Sequence, residues 1–216
     1  MIHQETAVRI PVGSVVVDGN LTVPPGAKGV VLFAHGSGSS RFSPRNRYVA
    51  KVFNAQKIAT LLFDLLTNEE DQEDLVTAEY RFNIKLLAER LIGATEWLKK
   101  DPQTKNCSFG YFGASTGAAA ALIAAAKLPN DIATVVSRGG RPDLAANYLP
   151  RVKAPTLLLV GGLDTEVIEL NRQAMEQMSA EKKLVIIPGA THLFEEPGKL
   201  EEVAKISADW FIRYLR

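Results

Sequence analysis

The amino-acid sequence predicts an α/β fold, with a doubly wound, mostly parallel sheet and helices on both of its faces. Short apolar runs recur along the chain, as expected for strands that are buried on both sides. Segments with helical periodicity alternate with these runs. Strands that alternate with helices form parallel β-α-β units, which is why the two observations together indicate this fold class.

The elements follow in chain order. Two edge strands are expected at residues 8–10 and 14–23 because turn-forming residues separate and end them. The predicted buried strands are 29–35, 58–63, 107–112, 132–136, 156–160 and 184–187. Helices are predicted at 44–56, 79–100, 116–127, 167–178 and 199–215, with a short one at 143–148. Residues 67–74, rich in Asn, Glu and Asp, are expected to form a solvated loop.

Composition limits the class of protein. A chain of 216 residues, 46% hydrophobic, is expected to form one domain over residues 1–216. A net charge of +1 gives no reason to expect nucleic acid or a membrane surface as partner. The first residues do not resemble a signal peptide, and the single Cys107 suits a reducing compartment, so a cytoplasmic location is expected. One cysteine and three histidines do not suggest a metal cluster, and no cofactor is expected.

The most informative segment lies around Ser115. An apolar run ends in Gly113-Ala-Ser-Thr-Gly117, and an alanine-rich helical stretch follows at once. This is the strand–turn–helix context of a G-x-S-x-G nucleophile elbow, which holds a serine in strained backbone geometry with its hydroxyl projecting. A side chain at either glycine would collide with a neighbouring strand or helix. Ser115 is therefore a candidate nucleophile, although a tight turn with an incidental serine would give the same pattern.

Polar residues follow the later strands, where ligands bind in sheets of this type. A serine nucleophile needs a base within hydrogen-bond reach, and the base needs an acid that fixes its tautomer. His192 follows the last predicted strand and can be the base, while Asp164 follows the preceding strand and can be the orienting acid. The order Ser115, Asp164, His192 is the one that a nucleophile elbow of this kind requires.

Other interpretations of these residues remain open. His192 could be a loop histidine, and Asp164 could cap the helix that follows it. Glu166 and Glu195 are the alternative acids, although neither directly follows a strand. Of the other histidines, His3 lies in the terminus, and His35 is expected to shape a glycine turn by hydrogen bonds.

With these residues in place, the chain resembles the α/β-hydrolase superfamily, and within it the small lidless branch similar to dienelactone hydrolases. The resemblance rests on H-G-S-G at His35, G-A-S-T-G at Ser115, G-L-D at Asp164 and T-H at His192, and it covers nearly the whole chain. It implies a single-domain α/β-hydrolase fold and a catalytic triad of these last three residues. The best-known dienelactone hydrolases carry a cysteine nucleophile, so the serine favours broader ester chemistry over lactone specificity.

The resemblance also implies an oxyanion hole made by the backbone N–H groups of Ser37 and Thr116. Thr116 begins a predicted helix, whose dipole favours negative charge at that end. Gly36, in the same loop as Ser37, is a candidate substrate contact.

The substrate is expected to be small. Residues 136–155, between the strand after the elbow helix and the strand bearing the acid, leave room for little more than one short helix, so no large lid is expected. Arginines cluster at the predicted mouth, where they could bind an anionic group: Arg41, Arg45, Arg47, Arg138 and Arg141. Arg138 and Arg141 are the candidates for substrate binding, and the alternative is that the arginines pair with acids of the 69–74 segment.

The sequence therefore predicts a cytoplasmic serine hydrolase that cleaves small carboxylic esters, thioesters or lactones through an acyl-enzyme. The only partner expected is a small-molecule ester, and the oligomeric state stays open. Two alternatives remain: acyl transfer to an acceptor other than water, and a hydrolase-like scaffold that binds ligands without catalysis.

Overall fold

The computed structural model describes residues 4–216, so His3 lies outside the described residues. Its strands are β1 (Glu5–Val12), β2 (Val15–Thr22), β3 (Gly29–Ala34), β4 (Ala59–Phe63), β5 (Ser108–Ala114), β6 (Ile132–Arg138), β7 (Thr156–Gly161) and β8 (Lys182–Ile187). Its helices are α1 (Pro44–Ala55), α2 (Asn68–Thr77), α3 (Ile84–Leu98), α4 (Thr116–Lys127), α5 (Thr165–Gln177) and α6 (Lys199–Tyr214), with a 3-10 helix at Pro142–Arg151.

All of these strands belong to one eight-stranded sheet with the order β1-β2-β4-β3-β5-β6-β7-β8. The strands from β4 to β8 in that order pair in parallel, whereas β1 and β2 pair antiparallel at one edge. The predicted doubly wound, mostly parallel sheet is confirmed. Because β3, β5, β6 and β7 are central and parallel, their carboxyl ends bring the loops that follow them to one edge of the sheet.

Two apolar layers hold the helices on the sheet. Helices α1 and α6 cover one face, where Phe33 lies 5.0 Å from Phe112 and Phe53 lies 5.2 Å from Phe211 between ring centroids. Helices α3 and α4 cover the other face, and seven alanines of α4 are buried there. Small side chains let α4 approach the sheet closely, which fixes the position of the turn that precedes it.

The prediction of a solvated loop at residues 67–74 is wrong, because this segment begins helix α2. Thr67 and Glu70 form a capping box, in which each side chain accepts a hydrogen bond from the other residue's backbone N–H, at 3.2 and 2.8 Å. Glu70 also pairs with Arg90 at 2.5 Å. The Thr-x-x-Glu pattern of a capping box is present in the sequence, but the run of acidic residues around it is also typical of a solvated loop.

Other boundaries also differ from the prediction, among them those of two helices. Helix α3 begins at Ile84 rather than at residue 79, because the Asn83 side chain accepts the backbone N–H of Leu86 at 3.1 Å and caps the helix there. The short helix expected at 143–148 is a longer 3-10 helix. That helix is all the regular structure between β6 and β7, which agrees with the expected lack of a large lid.

No helix within residues 4–216 has both the length and the apolar character that crossing a bilayer requires.

Candidate active site

Ser115 occupies the turn between β5 and α4. Its backbone has φ 51° and ψ −121°, a region that residues other than glycine rarely adopt. Three hydrogen bonds hold this conformation. The Ser115 N–H donates to the Arg138 carbonyl at 3.2 Å, and the Ser115 carbonyl accepts from the N–H groups of Ala118 and Arg141, each at 3.1 Å. The strained turn presents a half-exposed serine at the carboxyl edge of the sheet, in the geometry of a nucleophile elbow.

The glycines on either side of Ser115 are required by close packing. A Cβ atom at Gly117 would lie 2.2 Å from the carbonyl oxygen of Ala34, and one at Gly113 would lie 2.4 Å from the Cα of Ala118. Both distances are too short for any side chain. The predicted collision at each glycine is confirmed.

The Asp164 carboxylate reaches the His192 ring, with 2.6 Å between Oδ2 and Nδ1. Asp164 stands at the N-cap position of α5, yet its side chain makes no capping hydrogen bond. The contact therefore assigns the carboxylate to His192 rather than to the helix end. An Nδ1–H that donates to the carboxylate leaves Nε2 without its proton and able to accept one.

The loops that carry this pair are fixed against each other. The Leu163 N–H donates to the Ala190 carbonyl at 2.9 Å, which links the acid-bearing loop to the histidine-bearing loop. Glu196 accepts two hydrogen bonds from Thr191, one from its hydroxyl at 2.6 Å and one from its N–H at 3.1 Å. Glu196 is a positioning residue that sequence reasoning misses, because a contact within an irregular loop leaves no periodic signal.

Gly139 packs beside the His192 ring. Gly139, at φ 52°, lies against the ring, since a Cβ atom there would be 3.5 Å from both Nδ1 and Cε1 of His192. Its neighbour Arg138 supplies the carbonyl that holds the Ser115 backbone. His192 and Ser115 therefore both contact the dipeptide Arg138-Gly139 at the end of β6.

The loop after β3 lies on the other side of Ser115. A Cβ atom at Gly36 would be 3.1 Å from the Ser115 Cβ, so this loop passes directly beside the serine. The Ser37 N–H donates to the Thr116 hydroxyl oxygen at 3.0 Å, and the Ser37 hydroxyl lies 3.0 Å from that same oxygen. The two residues predicted to supply the oxyanion hole are thus in direct contact.

His35 shapes this loop by hydrogen bonds, as its position before the glycine turn predicts. Its Nε2 accepts the Leu65 N–H at 3.1 Å, which requires Nδ1 to carry the proton that it donates to the Gly36 carbonyl at 3.0 Å. Burial lowers the pKa of His35 below its usual value, so the ring stays neutral. His35 is therefore committed to holding the loop in place.

Four of the five mouth arginines have carboxylate partners, but these are not the acids of the 69–74 segment, and that predicted pairing is wrong. The ion pairs are Arg41 with Asp64, Arg45 with Glu195 at 2.8 Å, Arg47 with Glu5 at 3.4 Å, and Arg141 with Asp143 at 2.7 Å. Acids of the 69–74 segment pair instead with Arg90 and Arg81. Glu195, one of the alternative acids, is thereby engaged away from His192.

Arg138 differs from the other arginines because it is buried. Its Nη2 donates to the Asn46 side chain at 3.4 Å, and its Nε has no hydrogen-bond partner among residues 4–216. Burial lowers the pKa of the Arg138 guanidinium to about 10, so the group is still charged at neutral pH. Within the same described range, no group of three or more His, Cys, Asp or Glu side chains is placed to hold a metal ion.

Comparisons with known proteins agree with this fold. A dienelactone hydrolase from Anabaena variabilis is 60% identical, with a TM-score of 0.98 and 99% of each chain covered. The esterase Est1E from Butyrivibrio proteoclasticus is 16% identical with a TM-score of 0.80, over 96% of this chain and 98% of Est1E, and shares the fold.

Proteins of two Mycobacterium tuberculosis strains, each named "Putative phosphoribosyl transferase", are 55% identical over 98% of this chain. The chain spans about half of their length, 47%. The sequence model of the dienelactone hydrolase family matches residues 22–215. The chain therefore belongs to the dienelactone hydrolase family, within the α/β-hydrolases.

Proposed function

We propose that this chain is a serine hydrolase that cleaves small carboxylic esters through an acyl-enzyme on Ser115. The observation that carries the proposal is the 2.6 Å contact between Asp164 and His192, which leaves the second ring nitrogen of His192 available as a base. The strained elbow at Ser115 and membership of a hydrolase family support the same chemistry. The single Cys107 suits a reducing compartment, and we place the protein in the cytoplasm.

The reaction follows the usual two halves of acyl transfer. Ser115 Oγ attacks the carbonyl carbon while its proton passes to His192 Nε2, and the tetrahedral intermediate then expels the alcohol, which takes that proton. Water attacks the acyl-enzyme with His192 again as base, and the intermediate collapses to release the acid and restore Ser115. Asp164 stabilises the imidazolium that exists in both halves.

The negative charge of the intermediate falls on the carbonyl oxygen. The N–H of Thr116 lies at the amino end of α4, where the helix dipole favours an anion. The N–H of Ser37 lies across from it, held by the Thr116 hydroxyl. We propose these two groups as the oxyanion donors.

The arrangement of charges favours a neutral ester. The predicted substrate contacts are still Gly36, Arg138 and Arg141. The three residues differ from one another in what surrounds them. Gly36 lies against Ser115, Arg141 is paired with Asp143, and Arg138 is buried. A carboxylate on the substrate would therefore have to displace an existing partner or reach a buried group.

The decisive test uses a fluorophosphonate probe and p-nitrophenyl acetate. We expect stoichiometric labelling on Ser115, located by peptide mass, and hydrolysis that Ser115→Ala abolishes. His192→Ala should abolish both labelling and turnover because the serine then lacks its base. Labelling of another residue, or full turnover by Ser115→Ala, would refute the proposed nucleophile.

The Thr116 hydroxyl gives a further prediction. Thr116→Val removes the acceptor of the Ser37 N–H, so the loop after β3 should lose its alignment with Ser115. We expect kcat to fall about tenfold, a smaller fall than removal of an oxyanion donor causes. KM should change little, because in the original protein the Ser37 N–H already bonds to Thr116 and contributes little to binding the neutral substrate carbonyl. Thr116→Ser keeps the hydroxyl and should retain kcat within about twofold of the original. Equal kcat losses in the two variants would contradict the positioning role.

A further inference from the structure

Helix α2 turns two of its five acids towards the protein and leaves its two apolar side chains exposed. Glu70 and Asp74 face the protein, where each forms an ion pair with an arginine. Leu75 is 66% exposed and Val76 is 89% exposed. The ion pairs of Glu70 and Asp74 hold the helix, while Leu75 and Val76 stay exposed on its surface. Exposed apolar surface often marks a binding site.

An open groove of about 470 Å³ runs between this helix and the loop that follows β3. Leu75 lines it on the helix side and Phe42, itself 57% exposed, lines it on the loop side. The groove begins at Ser37, next to the glycine that touches the candidate nucleophile. Its volume lies within the roughly 300–1,000 Å³ of small-molecule sites.

The charges along the groove do not suit an anion. Arg45 and Arg81 line it, but Arg45 is paired with Glu195 at 2.8 Å and Arg81 with Asp74 at 2.6 Å. Asp71, also in the lining, adds a negative charge. Serines line much of the loop side (Ser37, Ser39, Ser40 and Ser43), so the apolar contacts of the groove come mainly from Phe42 and Leu75. A neutral group with an apolar part that packs against these two side chains is therefore the best match.

The order of the strands indicates which part of an ester lies in the groove. The leaving alcohol takes its proton from His192, which follows β8, so the alcohol must lie on that side of the reacting carbonyl. The groove lies on the opposite side, beside the segments that follow β3 and β4, with Ser115 between them after β5.

We propose that this groove is the acyl-binding subsite, with Phe42 and Leu75 as the residues that select esters of medium-length alkyl or aryl acids. The inference rests on the proposed hydrolase activity and adds the substrate class to it. Because both side chains are largely exposed, shortening either should change specificity without a large loss of stability.

The test compares p-nitrophenyl hexanoate with p-nitrophenyl acetate, so that the leaving group stays constant. We expect kcat/KM of the unmodified protein to favour the hexanoate, and Leu75→Ala to lower the hexanoate-to-acetate ratio about tenfold while acetate hydrolysis stays within about twofold. Phe42→Ala should act in the same direction, and more strongly on p-nitrophenyl benzoate. The matched controls are Val76→Ala on the same helix and Phe82→Ala, exposed apolar residues that do not line the groove.

An unchanged ratio in both groove variants, or an equal shift in Val76→Ala, would overturn the subsite. A catalysis-independent readout separates this failure from failure of the hydrolase proposal. We expect saturation-transfer NMR to detect N-methylhexanamide on Ser115→Ala, and its signal to vanish when Leu75→Ala is added. Binding without any ester turnover by the unmodified protein would refute the hydrolase proposal and support the acyl-binding subsite. Turnover without binding that depends on Leu75 would support the hydrolase proposal and refute the subsite.

Discussion

Asp164→Asn is expected to lower the turnover of p-nitrophenyl acetate by about 10⁴-fold, the loss typical of a triad that lacks its acid. The asparagine amide can donate a hydrogen bond to Nδ1 of His192, which would favour the ring tautomer with its proton on Nε2. That tautomer cannot take the proton of Ser115. The measurement is steady-state kcat at pH 7, together with a thermal unfolding curve that reports whether the variant is folded.

Glu166→Gln serves as the control, because Glu166 lies two residues further along the chain and is one of the two alternative acids. Its kcat should stay within about threefold of the original, since it removes no part of the triad. A loss of less than tenfold in Asp164→Asn, or an equal loss in Glu166→Gln, would contradict the assigned role of Asp164.

Gly117→Ala is expected to cost about 3 kcal/mol in the free energy of unfolding, at the upper end for overpacking. The added methyl group would lie 2.2 Å from the Ala34 carbonyl oxygen and 2.4 Å from that of His35, both of them backbone atoms that belong to the central sheet and its loop. The elbow must shift to relieve these contacts, so esterase activity should fall by more than 10²-fold, as expected when reacting groups move by about 1 Å. Urea unfolding and p-nitrophenyl acetate turnover measure the two effects.

The control for this substitution is Gly26→Ala, where φ is 76° but no atom lies within 4 Å of the new methyl group. It should cost about 1–2 kcal/mol through backbone conformation alone and leave activity unchanged. If Gly117→Ala were no more destabilising than Gly26→Ala, close packing would not be the reason for glycine in the elbow.

The parts of the fold that local sequence determines were predictable. Buried parallel strands read as continuous apolar runs, so the central strands and the order of the predicted elements are confirmed, although helix α2 was not predicted. Helix α4 has the predicted bounds Thr116–Lys127. The strand ends also place Asp164 and His192 in reach of each other, because neighbouring parallel strands end at one edge. Their catalytic roles stay predictions.

The rest depends on contacts between residues far apart in the chain. Helix α2 is held by ion pairs with residues up to 20 positions away in the chain. Among the mouth arginines, Arg45 pairs with Glu195, which lies 150 residues further along. The bond between Ser37 and Thr116 joins segments 79 residues apart. Periodicity and composition carry no information about such pairs, because both describe neighbours along the chain.

The bond between Ser37 and Thr116 bears on how the site would distinguish ground state from transition state. In the free protein the Ser37 N–H already has a neutral acceptor, so a substrate carbonyl, equally neutral, gains little by replacing it. An alkoxide carries a full charge and forms a markedly stronger hydrogen bond, so the exchange becomes favourable only as that charge develops. In the proposed mechanism, the Thr116 hydroxyl therefore weakens binding of the neutral substrate more than binding of the transition state, which favours a higher kcat over a lower KM.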